Sequence, residues 1–130
     1  LTSNRGAYDF QQLELENGDM LFEEVIRKTA SWGTPDNMMF VVGATRGELF
    51  GKVREIIPKH FLLVPGVGAQ GGSLEEVCRL GLNNDVGLLV NSSRGIIYSG
   101  QGVDFQEDVT RAAQKLQLQM KSILEQRGLL

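Results

Sequence analysis

The stretch Phe61-Leu62-Leu63-Val64-Pro65-Gly66-Val67-Gly68-Ala69-Gln70-Gly71-Gly72-Ser73-Leu74-Glu75-Glu76 decides the fold class. Its first four residues form an apolar run too short for a helix and cut off by Pro65-Gly66, which reads as a buried strand emptying into a glycine loop. Ser73 with Glu76 three residues on is a capping box, so a helix starts where the loop ends. Val77 and Leu80 give that helix a buried face, and Gly81 stops it. Strand, loop, helix is the unit of a parallel α/β architecture.

The same unit recurs on both sides. Upstream, Met38-Met39-Phe40-Val41-Val42-Gly43 is a second apolar run that reads as a strand buried on both faces. After it, residues 47–57 place Leu49, Phe50, Val53, Ile56 and Ile57 on one helical stripe, with Pro58 just past the end. Earlier still, Asp19 stands as N-cap to a helix carrying Leu21, Phe22, Val25, Ile26 and Thr29, which ends near Trp32-Gly33. Downstream, residues 86–90 form the third strand and residues 91–95 its polar exit. Residues 105–126 repeat Val109, Ala113, Leu116, Met120 and Ile123 at helical spacing. Strands apolar on both faces need helices on two sides or a closed barrel. Either architecture puts its site at the C-terminal ends of the strands. The exits to inspect are therefore Gly43-Ala44-Thr45-Arg46, the loop 65–72, and Asn91-Ser92-Ser93-Arg94-Gly95.

Composition bounds the partners. The 130 residues are 42% hydrophobic and 22% charged, with thirteen basic and sixteen acidic side chains for a net charge of −3. That is one ordinary soluble core with no basic face for nucleic acid. No apolar run approaches the roughly 18–20 residues of a membrane span, and no signal-peptide layout opens the chain. Neither a nucleic acid nor a membrane is expected as partner. The single cysteine, Cys78, cannot form an internal disulfide, which fits a reducing cytoplasm. The chain opens Leu1-Thr2-Ser3-Asn4 without Met, and the expectation is that it begins partway through a longer product.

Gly66-x-Gly68-x-x-Gly71 satisfies the dinucleotide fingerprint and lies between strand and helix, where that fingerprint belongs. Such a site also needs a carboxylate about twenty positions on, at the end of the next strand. Val90-Asn91-Ser92 supplies none, and Pro65 is foreign to that turn. No Gly-Lys-Ser/Thr follows the glycines, so a triphosphate loop is excluded. A phosphate monoester in a barrel fits better, because barrels commonly hold phosphate between the loops after their last two strands. Here one loop offers glycines and Gln70, and the other offers Ser92, Ser93, Gly95 and the two-pronged guanidinium of Arg94. Taken singly, the glycines equally serve a tight turn, with Arg94 a surface charge.

The remaining candidates read as structural. His60 precedes its strand and lies at the end opposite the expected site, Cys78 is a small core residue, and Trp32 and the methionines pack helices against strands. The pairs Glu23-Glu24 and Glu75-Glu76 point in different directions on their helices and form no acid/base couple, and no cluster has metal-ligand spacing. No metal is expected.

The loop 65–72, followed by Asn91-Ser92-Ser93-Arg94-Gly95-Ile96-Ile97-Tyr98, resembles the C-terminal half of orotidine 5′-phosphate decarboxylase, most closely the branch found in mycobacteria and many other bacteria. Val41-Val42-Gly43-Ala44-Thr45 and Thr2-Ser3-Asn4 resemble the ends of that family's sixth and fifth strands, so the likeness runs over nearly the whole chain. It implies an α/β fold, the C-terminal portion of a (β/α)8 TIM barrel from the end of strand five through helix eight, with residues 1–130 half of a single domain and no second domain. It also implies cofactor-free decarboxylation of orotidine monophosphate to UMP in pyrimidine biosynthesis. Under it, Gln70 and Arg94 contact the phosphate, Gly66, Gly68, Gly71, Ser93 and Gly95 line it, and Ser3 reaches the pyrimidine amide. The family's catalytic Asp-x-Lys is absent from the sequence: Lys28, Lys52, Lys59, Lys115 and Lys121 all fall in helices or at their ends. The expectation is that the chain supplies phosphate-binding loops only. It would need the N-terminal half of the barrel as partner, be inactive alone, and form a homodimer when complete. Another phosphate-binding barrel lyase or isomerase is the alternative.

Overall fold

The computed structural model of the 130-residue chain describes every residue but Ser3 and Ala69, with backbone alone at Arg5. In chain order the elements are α1 (Tyr8–Gln11), α2 (Leu21–Ala30), β1 (Met39–Val41), α3 (Phe50–Ile56), β2 (Phe61–Pro65), α4 (Leu74–Gly81), β3 (Leu88–Asn91), α5 (Ser93–Ile97) and α6 (Phe105–Gln126). Short 3-10 turns precede α1 at Arg5–Ala7 and α3 at Ala44–Leu49. The strands form one parallel sheet in the order β1-β2-β3, the helices supplying the crossovers that parallel neighbours need. Beside β1, the Leu1 nitrogen donates to the Val41 carbonyl at 2.7 Å, and the Leu1 carbonyl accepts from Gly43 N–H at 2.9 Å. The N-terminal residue thus lies along the edge of β1.

The two faces of the sheet differ. Register aligns Phe40, Leu62 and Leu88 on one row, with Val42, Val64 and Val90 on the same side. That side carries the core: Val42, Leu62 and Val64 are fully buried against Phe50, Val53, Ile57, Val77 and Cys78. Helices α2, α3, α4 and α6 cover it as a layer in which each packs on the next. The other side carries Val41, Leu63 and Leu89 in one row, with Met39 and Phe61 below. No element lies over it among the described residues, and Met39, Val41 and Leu89 are each about half exposed (47%, 51% and 48%). The expectation of strands buried on both faces therefore fails for β1 and β3: the apolar pattern is that of a two-sided core, of which this chain covers one side.

Local boundaries also shift. The third strand starts at Leu88, because Val86 (φ 67°) and Gly87 (φ 65°) belong to a tight turn closed by paired hydrogen bonds between Asn83 and Val86. The N-cap of α2 is Met20, whose N–H donates to the Glu23 carboxylate at 2.9 Å, while the Asp19 carboxylate accepts from Arg27 at 2.6 Å. Ser73 caps α4 as expected, accepting from Glu76 N–H at 3.2 Å. The stripe of α6 faces the sheet, but its residues are only half-buried. Trp32 is 69% exposed, which corrects its assignment to the packing between helices and strands; α2 ends two residues earlier, at Ala30. No described helix is long and apolar enough to cross a membrane.

Candidate phosphate and base compartments

The exits of β2 and β3 meet, as the parallel pairing of Pro65 with Asn91 requires. Gly66, Gly68 and Gly71 all have positive φ (96°, 75° and 87°), where a side chain is strained, and they wind the loop back on itself. Gly66 N–H donates to the Asn91 carbonyl, Gly68 N–H to Gly72 O at 3.0 Å, and Gly71 N–H to Gly68 O at 2.7 Å. These three amides hold the loop's shape and are already committed. The free donors lie across from them, at the start of α5, where the N–H groups of Arg94 and Gly95 have no preceding intrahelical acceptor. Asn91 initiates that helix by accepting from both the N–H and the hydroxyl of Ser93 (3.1 and 2.9 Å), and the Ser92 hydroxyl ties the loops together by donating to Val67 O at 2.8 Å.

Between the loops is a cavity of about 90 Å³ lined by Pro65, Gly66, Val67, Gln70, Asn91, Ser92, Ser93 and Arg94. Of the residues singled out in the sequence it brings together Gln70, Arg94, Gly66 and Ser93. Gly68, Gly71 and Gly95 are not among its lining residues. Arg94 is exposed, and no described carboxylate lies within ion-pair distance of it. A guanidinium without an anion, hydroxyls, free amides and a carboxamide around a space of roughly three water volumes suit a small anion.

Gln70 also lines a second, larger cavity of about 260 Å³ with Leu1, Thr2, Gln11, Val41, Gly43 and Pro65, at the exit of β1. Ser3, singled out in the sequence, lies outside the described residues. Gln11 comes to this compartment from α1, which is held by side chains that sequence reading passed over. Arg46, 6% exposed, lays its guanidinium carbon 3.6 Å from the centroid of the Tyr8 ring and donates to the Tyr8 hydroxyl. Three residues on, the Gln11 carboxamide oxygen accepts from Thr2 N–H at 3.3 Å. Arg46 stood in an exit already flagged; the four-residue α1 leaves no periodic signal to find.

The opposite end of the sheet is closed. Arg54 donates to four carbonyls: Gly81 (2.6 Å), His60 (2.6 Å), Gly87 (2.8 Å) and Ile57 (3.3 Å). Burial lowers its pKa to about 10, still leaving it charged at neutral pH. His60 is buried beside it, edge-on to Phe40, with neither ring nitrogen hydrogen-bonded. Burial, then the Arg54 charge, push its pKa below the ordinary value. Cys78 is fully buried against Met120, and burial, with Glu75 adding to it, raises its thiol to about 11, so it is no nucleophile.

No family model matches the chain. Among curated proteins it is 56% identical over 124 residues to orotidine 5′-phosphate decarboxylase of Phocaeicola vulgatus, over 95% of this chain and 46% of that protein. It is 50% identical over 130 residues to the enzyme of the same name from Parabacteroides distasonis, over 100% and 46%. The chain spans about half the length of the curated relatives it matches. Among solved structures it is similar to Leishmania donovani OMP decarboxylase (TM-score 0.77, 31% identity, 94% of this chain and 44% of that one). It is also similar to Leishmania donovani UMP synthase (TM-score 0.71, 34% identity, 89% and 26%). The three parallel strands with their helices are a portion of an α/β barrel of this kind.

Proposed function

We propose that this chain is the phosphate-binding C-terminal half of an orotidine 5′-phosphate decarboxylase, a single (β/α)8 domain that converts orotidine monophosphate to UMP without a cofactor. The observation that carries the reading is the clasp of the two loops around Gln70 and the unpaired Arg94, next to a compartment large enough for a base. About half identity to decarboxylases over the whole chain supports it. On this reading Arg94, Gln70, Ser93 and the amides of Arg94 and Gly95 hold the phosphate, the amides of Gly66, Gly68 and Gly71 fix the loop, and Ser3 approaches the pyrimidine.

The reacting groups, an array of aspartates and a lysine, belong to the other half of the barrel. That N-terminal half is the partner we assign to the open face of the sheet, where it covers Met39, Val41, Phe61, Leu63 and Leu89. The contribution of this chain is energetic: binding a phosphate remote from the reacting bond can organise and close the site, so its contacts influence turnover without touching the chemistry. A cytoplasmic homodimer and membership of the branch shared with mycobacteria, both implied by the family resemblance, complete the proposal.

The test is decarboxylation by the complete barrel, followed by loss of orotate absorbance. Arg94→Ala should lower kcat/KM by on the order of 10²-fold, as expected of one charged phosphate contact, and the present chain alone should be inactive. Unchanged kinetics in Arg94→Ala, or full activity from this chain alone, would contradict the proposal.

A further inference from the structure

The base compartment has one polar wall whose hydrogen-bonding capacity is half spent. Gln11 lines it together with Gln70, and its carboxamide oxygen is engaged by Thr2 N–H at 3.3 Å. What the carboxamide has left is chiefly its NH2 group, with both donors free, beside an oxygen already engaged once. Gln11 is also held in place. It ends α1, a helix with no buried residue of its own, whose first residue, Tyr8, is stacked on and bonded to the buried Arg46. Pinned at Tyr8 and at Gln11, α1 presents the carboxamide at a fixed point beside the exit of β1.

Resting on the function proposed above, we infer that Gln11 is a specificity-determining residue that reads the base by donating to a ring carbonyl oxygen. It thereby selects uracil-type pyrimidine nucleotides over those that carry an amino group at the same edge. A donor facing an amino group leaves both unpaired in a half-buried site, and sites built around such a bond discriminate strongly against analogues that cannot make it. Thr2 contributes no competing donor from its main chain, since that N–H is bound to Gln11, and its hydroxyl accepts from Asn4 N–H at 3.2 Å.

The test uses the complete barrel and three ligands, UMP, CMP and ribose 5-phosphate, titrated calorimetrically. UMP and CMP carry the same charge, so their affinity ratio is insensitive to charge introduced at residue 11. Gln11→Glu keeps an acceptor for Thr2 N–H and loses the donor; it should reduce the preference for UMP over CMP by about tenfold, the effect of one hydrogen bond. Gln11→Met, uncharged and of similar length, should reduce the same preference while leaving ribose 5-phosphate affinity within about twofold. An unchanged UMP-to-CMP ratio in both variants overturns the inference, as does a Gln11→Met variant that weakens all three ligands in proportion, which would make Gln11 a structural prop. If the unsubstituted protein binds none of the three, the phosphate reading falls and takes this one with it. Binding of ribose 5-phosphate without base discrimination overturns this inference alone.

Discussion

Two arginines at opposite ends of one sheet do opposite work. Arg54, at the end where β2 and β3 begin, gives four of its five N–H donors to main-chain carbonyls around the α3–β2 and α4–β3 connections. Arg94, at the end where they finish, is exposed and meets no described carboxylate. Parallel strands create this asymmetry: all strand starts gather at one end and all strand exits at the other. One end commits its arginine to the fold, and the other keeps an arginine free, where we propose the ligand binds.

That contrast breaks first under Arg54→Ala. It strands several partly buried carbonyls, and the expected loss is about 3 kcal/mol of stability, some 10 °C in melting temperature for a chain of this size, with ligand affinity unchanged in whatever remains folded. Arg94→Ala should do the reverse: no measurable change in melting temperature, and phosphate-ligand affinity weaker by on the order of 10²-fold. If the two variants have the same profile, the division between the ends is wrong.

A smaller effect separates the ends by pH. His60 is held neutral in the folded chain, with a pKa below the ordinary 6.5. The unfolded chain therefore binds the proton more readily, so His60's contribution is fully present above pH 6.5 and is lost as pH falls toward the folded-state value. His60→Leu should flatten that part of the stability profile and leave ligand binding untouched, because both ring nitrogens are without partners. The smallest change is at Val86, a β-branched residue with φ 67° in the turn before β3. Val86→Gly relieves that backbone and should stabilise by up to about 1 kcal/mol, read by denaturant unfolding.

Much of this was legible in the sequence. The strand-loop-helix order, the Ser73 cap, the span of α6 and the meeting of the two loops follow from periodicity, capping chemistry and parallel topology. Which N–H groups are free was not legible: glycines permit a turn, but only the turn's own hydrogen bonds reveal that Gly66, Gly68 and Gly71 have spent theirs. Nor was the Arg54 staple, because an arginine beside the buried stripe Val53–Ile57 looks like any solvated helix residue until its carbonyl partners are seen. The bare face of the sheet escaped for a different reason. Met39, Val41 and Leu89 carry the pattern of buried residues, and nothing in a sequence says that the described residues leave them about half exposed.

On the proposed function, the cavity between the exits of β2 and β3 holds a phosphate through Arg94. Titration of UMP into the complete barrel, followed by its ³¹P resonance, tests it most directly. The expected result is a saturable shift in the unsubstituted protein that moves to roughly 100-fold higher concentration in Arg94→Ala, with the fold intact. An identical titration curve for the two proteins would contradict it.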